Sequence, residues 1–473
     1  MGIRYLIVVG TVFALCVMSP FRPILGLYGY YWFAMMRPDI LSWAGPNRYS
    51  LIIAVVALFS NSIRILRNLP LLILNPILRN LALFFLTVTI SVIAAVDASL
   101  CWDRYLLFSR MFLMALIIPL VIETREELRW FFIVVAGSLG LLGSKFGLWG
   151  LLRGGVVVTQ GYGGMLSDNN TMALAFAMAI PLCWFSRRLV PWKWARLGFL
   201  AAAICCAAAV IFTHSRGGIL AVGIGLLAVL MCERRKMLAI GVLALGVALV
   251  SYLVWDTLTM RMSTLEDPMK DASARNRILM LKAAPKLWMD YPFFGVGFTE
   301  ANQQRLLFKY IDPSQASCCI GLVLHNTWAQ ILVDSGIFAF LLYMWLLFST
   351  IWRSWFQARR LEREGRGEEA ALLYGVACSL VTFLVGATFL SRTGFDLFYV
   401  LLCTFGAWLN VGKRAAEVPA AVMPPPPPAP APAPEEGTET AVPAAGSPEP
   451  APRIRSGRGG LIRPPASRLR QEI

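Results

Sequence analysis

The sequence predicts an all-α, polytopic integral membrane protein, and three observations carry that prediction. Hydrophobic residues make up 58% of the 473-residue chain and charged residues only 15%, with a mean hydropathy of +0.64, so there are too few charges to cover a soluble domain. Apolar runs of roughly 16 to 25 residues recur from Arg4 to Val411, each long enough to cross a ~30 Å hydrocarbon layer as a helix rising ~1.5 Å per residue. Lys and Arg gather in the short loops between these runs, as the positive-inside rule requires of cytoplasmic loops.

Taken in order, residues 4 to 36 hold two short apolar pieces split by Ser19-Pro-Phe-Arg-Pro23, which read as one broken crossing or two. No A-x-A-like site follows the first piece, so no cleavable signal is expected. Runs near 50–66, 81–97, 104–122, 127–149 and 171–186 come next. The runs near 197–213 and 216–232 form a hairpin. Its basic flanks, Arg187, Arg188, Lys193 and Arg196 on one side and Glu233-Arg-Arg-Lys236 on the other, place its tip Thr213-His-Ser-Arg216 away from the cytoplasm. A run near 237–255 crosses outward and leaves 256–324 as a large extracytoplasmic loop. The run from His325 returns to the basic stretch Arg353 to Arg366, and runs near 370–389 and 396–411 complete about 12 crossings, or 13 if the first stretch crosses twice.

The predicted organisation is thus a transmembrane domain over 1–411, with the 256–324 loop on the extracytoplasmic side, and a cytoplasmic tail over 412–473. The tail runs from Pro424 through Pro428 into repeated Ala-Pro and six arginines between Arg453 and Arg470. Such a composition cannot bury a core and predicts disorder, with a basic end suited to anionic lipid head groups. The net charge of +16 is explained by orientation, so no nucleic acid partner is expected. Most of the ten cysteines lie in apolar runs, where a thiol behaves as a small hydrophobe. Cys101, Cys318 and Cys319 fall in outer loops, where a disulfide is conceivable, and no spacing suggests a metal.

Polar clusters meet the outer membrane boundary at four places. In Phe212-Thr-His-Ser-Arg-Gly-Gly218, Ser215 can cap the following helix, whose N-terminus attracts anions, and Arg216 adds a forked cation beside His214. Arg216 could equally snorkel to head groups. The large loop holds Arg275-Asn-Arg277 and Pro292-Phe-Phe-Gly-Val-Gly297, where the arginines can be solvated loop charges and Gly295 and Gly297 an ordinary turn. At the end of that loop, His325 and Asn326 start a helix on which Asn326, Gln330 and Asp334, spaced by four, share one face. Interhelical hydrogen bonding accounts for the amides and the acid. His325, at the aqueous edge with an ordinary pKa of ~6.5, can exchange protons. Lastly, Asp168-Asn-Asn170 precedes the run at 171–186, and capping by Asp168 or Asn169 suffices to explain it. Arginines, a histidine and helix N-termini at one boundary suit a phosphate-bearing lipid. With no D-x-D pair, a metal-dependent diphosphate site of the acidic type is not indicated.

In order and placement, these parts resemble the O-antigen ligase and O-antigen polymerase superfamily. The hairpin tip Thr213 to Gly218 is followed by a large outer loop with Arg275 to Arg277 and Pro292 to Gly297, closed by His325-Asn326 and a helix running to Gly336. The opening Met1-Gly-Ile-Arg, the Gly26-Leu-Tyr-Gly-Tyr-Tyr-Trp32 stretch and Asp168-Asn-Asn170 look most like the branch of O-glycosylation ligases found with exosortase systems. The resemblance implies a C-type membrane glycosyltransferase of the bacterial inner membrane. Such an enzyme moves a glycan from undecaprenyl diphosphate to a lipid, protein or polysaccharide hydroxyl on the periplasmic side, without nucleotide sugar, cofactor or metal.

By the same resemblance, Arg216 and Arg277 or Arg275 would bind the diphosphate, Arg277 being favoured because it directly precedes Ile278-Leu-Met-Leu, and His325 would activate the acceptor. Ser215, His214, Asn326, Gln330, Asp334, Asn169, Asn170, Gly295 and Gly297 would support them. Ligase and polymerase differ only in acceptor, and branch resemblance tilts the reading to ligase. A transporter guiding an anionic substrate is the alternative of another class, for which paired broken helices would be expected.

Overall fold

The computed structural model describes residues 3–41, 49–153, 160–163, 166–233, 272–316 and 319–417, with scattered positions between 236 and 244. The run expected at 237–255, the first part of the large loop, and the tail from 418 onward lie largely or wholly outside the described residues. The helices are α1 (Ile3–Met18), α2 (Pro23–Met36), α3 (Pro38–Leu41), α4 (Tyr49–Ser60), α5 (Ser62–Asn68), α6 (Leu71–Leu74), α7 (Pro76–Ile93), α8 (Ala98–Val121), α9 (Arg125–Leu152), α10 (Asn169–Ser186), α11 (Lys193–Phe212) and α12 (Arg216–Cys232). After the undescribed stretch come α13 (Ala272–Asp290), α14 (Ala301–Leu306), α15 (Pro313–Ala316), α16 (Thr327–Arg363), α17 (Gly367–Gly386) and α18 (Asp396–Glu417). The all-α expectation holds except for one small antiparallel hairpin, β1 (Gln160–Gly163) with β2 (Leu166–Asp168).

Six described helices are long and apolar enough to cross a membrane, α7, α8, α9, α11, α16 and α17 with its following turn, or seven if α4 and α5 make one broken span. The run near 50–66, read as one crossing, is therefore bent: α4 and α5 meet at 62°, where Asn61 turns its amide onto Pro23 O (2.7 Å) and Ala57 O (2.8 Å). The first stretch forms two separate helices, α1 and α2.

At the centre stands α10. Every residue from Thr171 to Ser186 is buried, enclosed by α9, α11, α12 and α17. Its alanines allow close approach of neighbouring backbones, the usual basis of helix packing where lipid supplies no hydrophobic drive. A Cβ added at Gly218 would sit 2.6 Å from Ala173 Cβ, and one at Gly386 would sit 2.5 Å from Leu174. A second group joins α16 to α7 and α18 to α8 through aromatic rings, with Phe84, Phe112, Tyr343, Phe398 and Tyr399 at centroid separations of 4.6 to 6.3 Å. Outside the bundle core, α13, Val296, Leu307, Leu324 and Val333 share a small hydrophobic cluster of their own.

The conceivable disulfide is absent among the described residues: Cys101 and Cys319 are free and buried, Cys101 against Asn302 and Cys319 in the loop cluster. Cys318 lies outside the described residues.

Candidate active site

Three helix N-termini carry the predicted motifs, and each is built as a cap. Asp168 Oδ1 accepts from Asn170 N (2.9 Å) and Thr171 N (3.0 Å) at α10. Ser215 Oγ accepts from Gly218 N (3.2 Å) at α12, and Asn326 Oδ1 from Ala329 N (2.9 Å) at α16. Short polar side chains outcompete water for these free N–H groups. The residue next to the cap is left-handed in two cases, His214 (φ 55°) and His325 (φ 50°). An L-residue holds such a backbone only where its neighbours fix it.

For His325 the fixing contacts lie on both sides. Upstream, Leu324 N donates to Gln303 Oε1 (3.0 Å) when that amide is oriented to satisfy its surroundings, its nitrogen then donating to Asp334 Oδ1 (3.2 Å). Downstream, Asn326 Nδ2 donates to Thr388 O (3.0 Å), Thr327 Oγ1 to Leu390 O (2.6 Å), and Trp328 Nε1 to Thr388 Oγ1 (3.1 Å). The loop between α17 and α18 thereby grips the start of α16.

That same loop reaches the other motifs. A Cβ at Gly217 would lie 2.7 Å from Phe389 Cβ, which seats the residue after Arg216 directly against the loop. Asn169 Nδ2 donates to Thr213 O (3.0 Å), tying the α10 start to the hairpin tip. Arg392 donates its backbone N–H to Thr327 Oγ1 (3.1 Å), and its guanidinium pairs with Asp168 Oδ2. Asp168, Asn169, the tip Thr213 to Gly218, His325 to Thr327 and Thr388 to Arg392 thus form one contiguous site.

Arg277 joins it electrostatically. Burial, and then the Arg277 charge, push His325 down from its ordinary range to about 4, with Asp168 opposing and Arg392 assisting. The imidazole is therefore held neutral, with a lone pair available. Arg275 is exposed two residues away on α13, whereas Arg277 is half-buried. Asp168 is itself pulled upward by burial, but Arg392 and the cap hydrogen bonds outweigh this and leave its carboxyl below the usual range.

Some predicted residues serve elsewhere. Gly295 (φ 69°) and Gly297 (φ 118°) dock the loop into a break in α16 at Gly336. There Val296 N donates to Val333 O (3.0 Å), Gly297 N to Asp334 O (2.9 Å) and Ile337 N to Pro292 O (2.9 Å). Asp334 is buried and accepts from Glu300 N (3.0 Å); Gln330 donates to Glu300 Oε2 (3.4 Å), and Glu300 also pairs with Arg104 (2.7 Å). Gln330 and Asp334 consequently brace the loop, Asp334 reaching Leu324 through Gln303, while Asn326 at the start of the same face belongs to the site itself. Among the described residues, no group of three His, Cys, Asp or Glu is placed to hold a metal.

Arg392 was not singled out by motif. The available signal was its position: an arginine in a short loop on the side of the membrane that the charge rule leaves poor in cations.

Two family models match the chain, and no curated protein does. Residues 3–190 match a family of unknown function, DUF5935, and residues 201–344 match the O-antigen ligase family. The second match spans Arg216, Arg277 and His325, the first includes Asp168 and Asn169, and Arg392 lies beyond both. Over the segment that carries the histidine and two of the site's arginines, the chain is similar to the O-antigen ligases, which supports a multi-pass membrane protein of ligase or polymerase type.

Proposed function

We propose that the protein is a glycan ligase that moves an oligo- or polysaccharide from undecaprenyl diphosphate to an acceptor hydroxyl at the periplasmic face of the bacterial inner membrane. The observation that carries this reading is His325: an imidazole held neutral in a pinned, left-handed backbone, with Arg277 and Arg392 close enough to act on its titration. His325 takes the proton of the acceptor hydroxyl. The freed oxygen attacks the anomeric carbon, the bond to the diphosphate oxygen breaks, and its electron pair leaves with the diphosphate. A single displacement inverts the anomeric centre.

Arg216, Arg277 and Arg392 are suited to the charge that develops on the leaving diphosphate, because guanidinium forks pair with phosphate oxygens in two-point contacts. Preorganised cations of this kind stabilise a transition state without reorganising as it forms, and the reaction then requires no divalent metal. The α10 and α12 N-termini add partial positive charge on the same side. The acceptor is a lipid, protein or polysaccharide hydroxyl.

The test is reconstitution of the purified full chain with an undecaprenyl-diphosphate glycan and candidate acceptors, with and without chelator. A new glycosidic bond formed at equal rate in chelator supports the reading. Movement of the donor across the bilayer without bond formation would replace it with a transporter, and a requirement for a divalent cation would remove the arginine-based account.

A further inference from the structure

Resting on the function proposed above, we propose that Asp168 is a positioning residue that exchanges partners during the reaction: paired with Arg392 until donor binds, it releases that guanidinium to the donor's diphosphate and remains as the negative group acting on His325.

The carboxylate is placed for two tasks at once. Its Oδ1 caps α10 through Asn170 N and Thr171 N, while Oδ2 holds Arg392. The capping contacts fix the carboxylate to the central helix, so it stays when Arg392 changes partner. Arg392 in turn is fixed at its backbone by Thr327, two residues from His325, so only its side chain need swing. A diphosphate carries more charge than a carboxylate and offers more acceptor oxygens to the fork, which favours the exchange when donor arrives.

Among the described residues, the charged groups acting on His325 are Arg277 from α13, Arg392 from the α17–α18 loop and Asp168 from the start of α10. Until donor binds, Arg392 offsets Asp168. Once the diphosphate engages both arginines, their pull on the imidazole is neutralised and Asp168 acts unopposed. The imidazole then becomes a stronger base only when donor is bound, and the imidazolium formed during transfer gains a counter-charge.

Asp168→Asn tests this, because Asn is as good a helix cap as Asp but carries no charge. In the full-length protein, selectively labelled histidine is titrated by NMR, His325 being identified by its loss in His325→Gln, with and without farnesyl diphosphate as the probe. Wild-type protein should show an upward movement of the His325 midpoint on adding the probe, and Asp168→Asn a smaller one. In turnover, the variant should lose about tenfold in kcat, in keeping with the share that base strength has in proton transfer, with donor KM not raised and the acid limb moved to lower pH.

A variant with raised donor KM, an unchanged His325 midpoint and an unchanged pH profile would show that Asp168 is only a cap. If Asp168→Asn does not fold, Asp168→Ser, a second capping residue, takes its place with the same expectations. The titration needs no turnover, so a protein that responds to the probe as described but forms no glycosidic bond would refute the transferase reading and leave the partner exchange standing.

Discussion

His325 was visible in the sequence because histidine is scarce here, two in 473 residues, and because it lies where an apolar run begins. Its protonation behaviour was not visible, since that depends on burial and on Arg277, Asp168 and Arg392, which are distant in sequence. Replacing His325 by Gln should lower kcat by ~10²–10⁴, the usual contribution of a positioned base, with donor binding retained; near-normal turnover would rule out the base role. The free-enzyme pKa of about 4 places the acid limb of kcat/KM near pH 4. The limb of kcat should lie higher, because bound diphosphate neutralises the arginines that hold the imidazole down. The same depressed pKa links to folding: its contribution is complete above the ordinary pKa of ~6.5 and is lost as pH falls through about 4. Arg392→Ala should raise donor KM roughly tenfold or more, as expected for a lost charge-assisted hydrogen bond. A KM unchanged from wild type would reduce Arg392 to a partner of Asp168.

Periodicity along α16 located its polar face but not the break that follows it. The spacing of Asn326, Gln330 and Asp334 indicated a continuous polar helix face, and Gln330 and Asp334 are indeed buried. Yet Gly336 adopts φ 75° and ψ −174° inside the helix, and the carbonyls released there receive Val296 N and Gly297 N of the loop. Only glycine fits: a Cβ at Gly336 would lie 2.1 Å from Phe293 O. Gly336→Ala should therefore cost about 3 kcal/mol or more from strain and overpacking combined, read as a lowered melting temperature, and should detach the loop that positions Leu324 and His325. A variant as stable as wild type would mean the break can straighten. Ser215→Ala, which removes only the cap of α12, should cost ~1 kcal/mol in the same measurement.

Across the whole molecule, the charge pattern has two origins that composition does not separate. Cations of the basic clusters read as cytoplasmic markers are paired with acids in the folded protein: Arg188 with Glu233 (2.8 Å) and Glu362 (3.4 Å), and Arg366 with Glu369 (2.7 Å). Each such pair is partly exposed and contributes at most ~1 kcal/mol singly, so their main effect is to fix one end of the bundle. The orientation proposed here predicts that cysteines introduced at Arg275 and Arg359 are labelled by a membrane-impermeant reagent from opposite sides of the inner membrane, Arg275 from the periplasm; labelling of both from one side would overturn the topology. The sequence by itself determined the membrane class, the helical runs and the hairpin tip, because apolar length and turn residues act locally. The tertiary structure decided which polar residues meet: it drew Arg392 and Asp168 into the site, kept Arg277 there while leaving Arg275 exposed, and sent Gly295 and Gly297 to the helix break. These outcomes depend on packing between segments distant in sequence, Asp168 and Arg392 being 224 residues apart, where hydrogen bonding and close backbone approach, which no local pattern encodes, set the contacts.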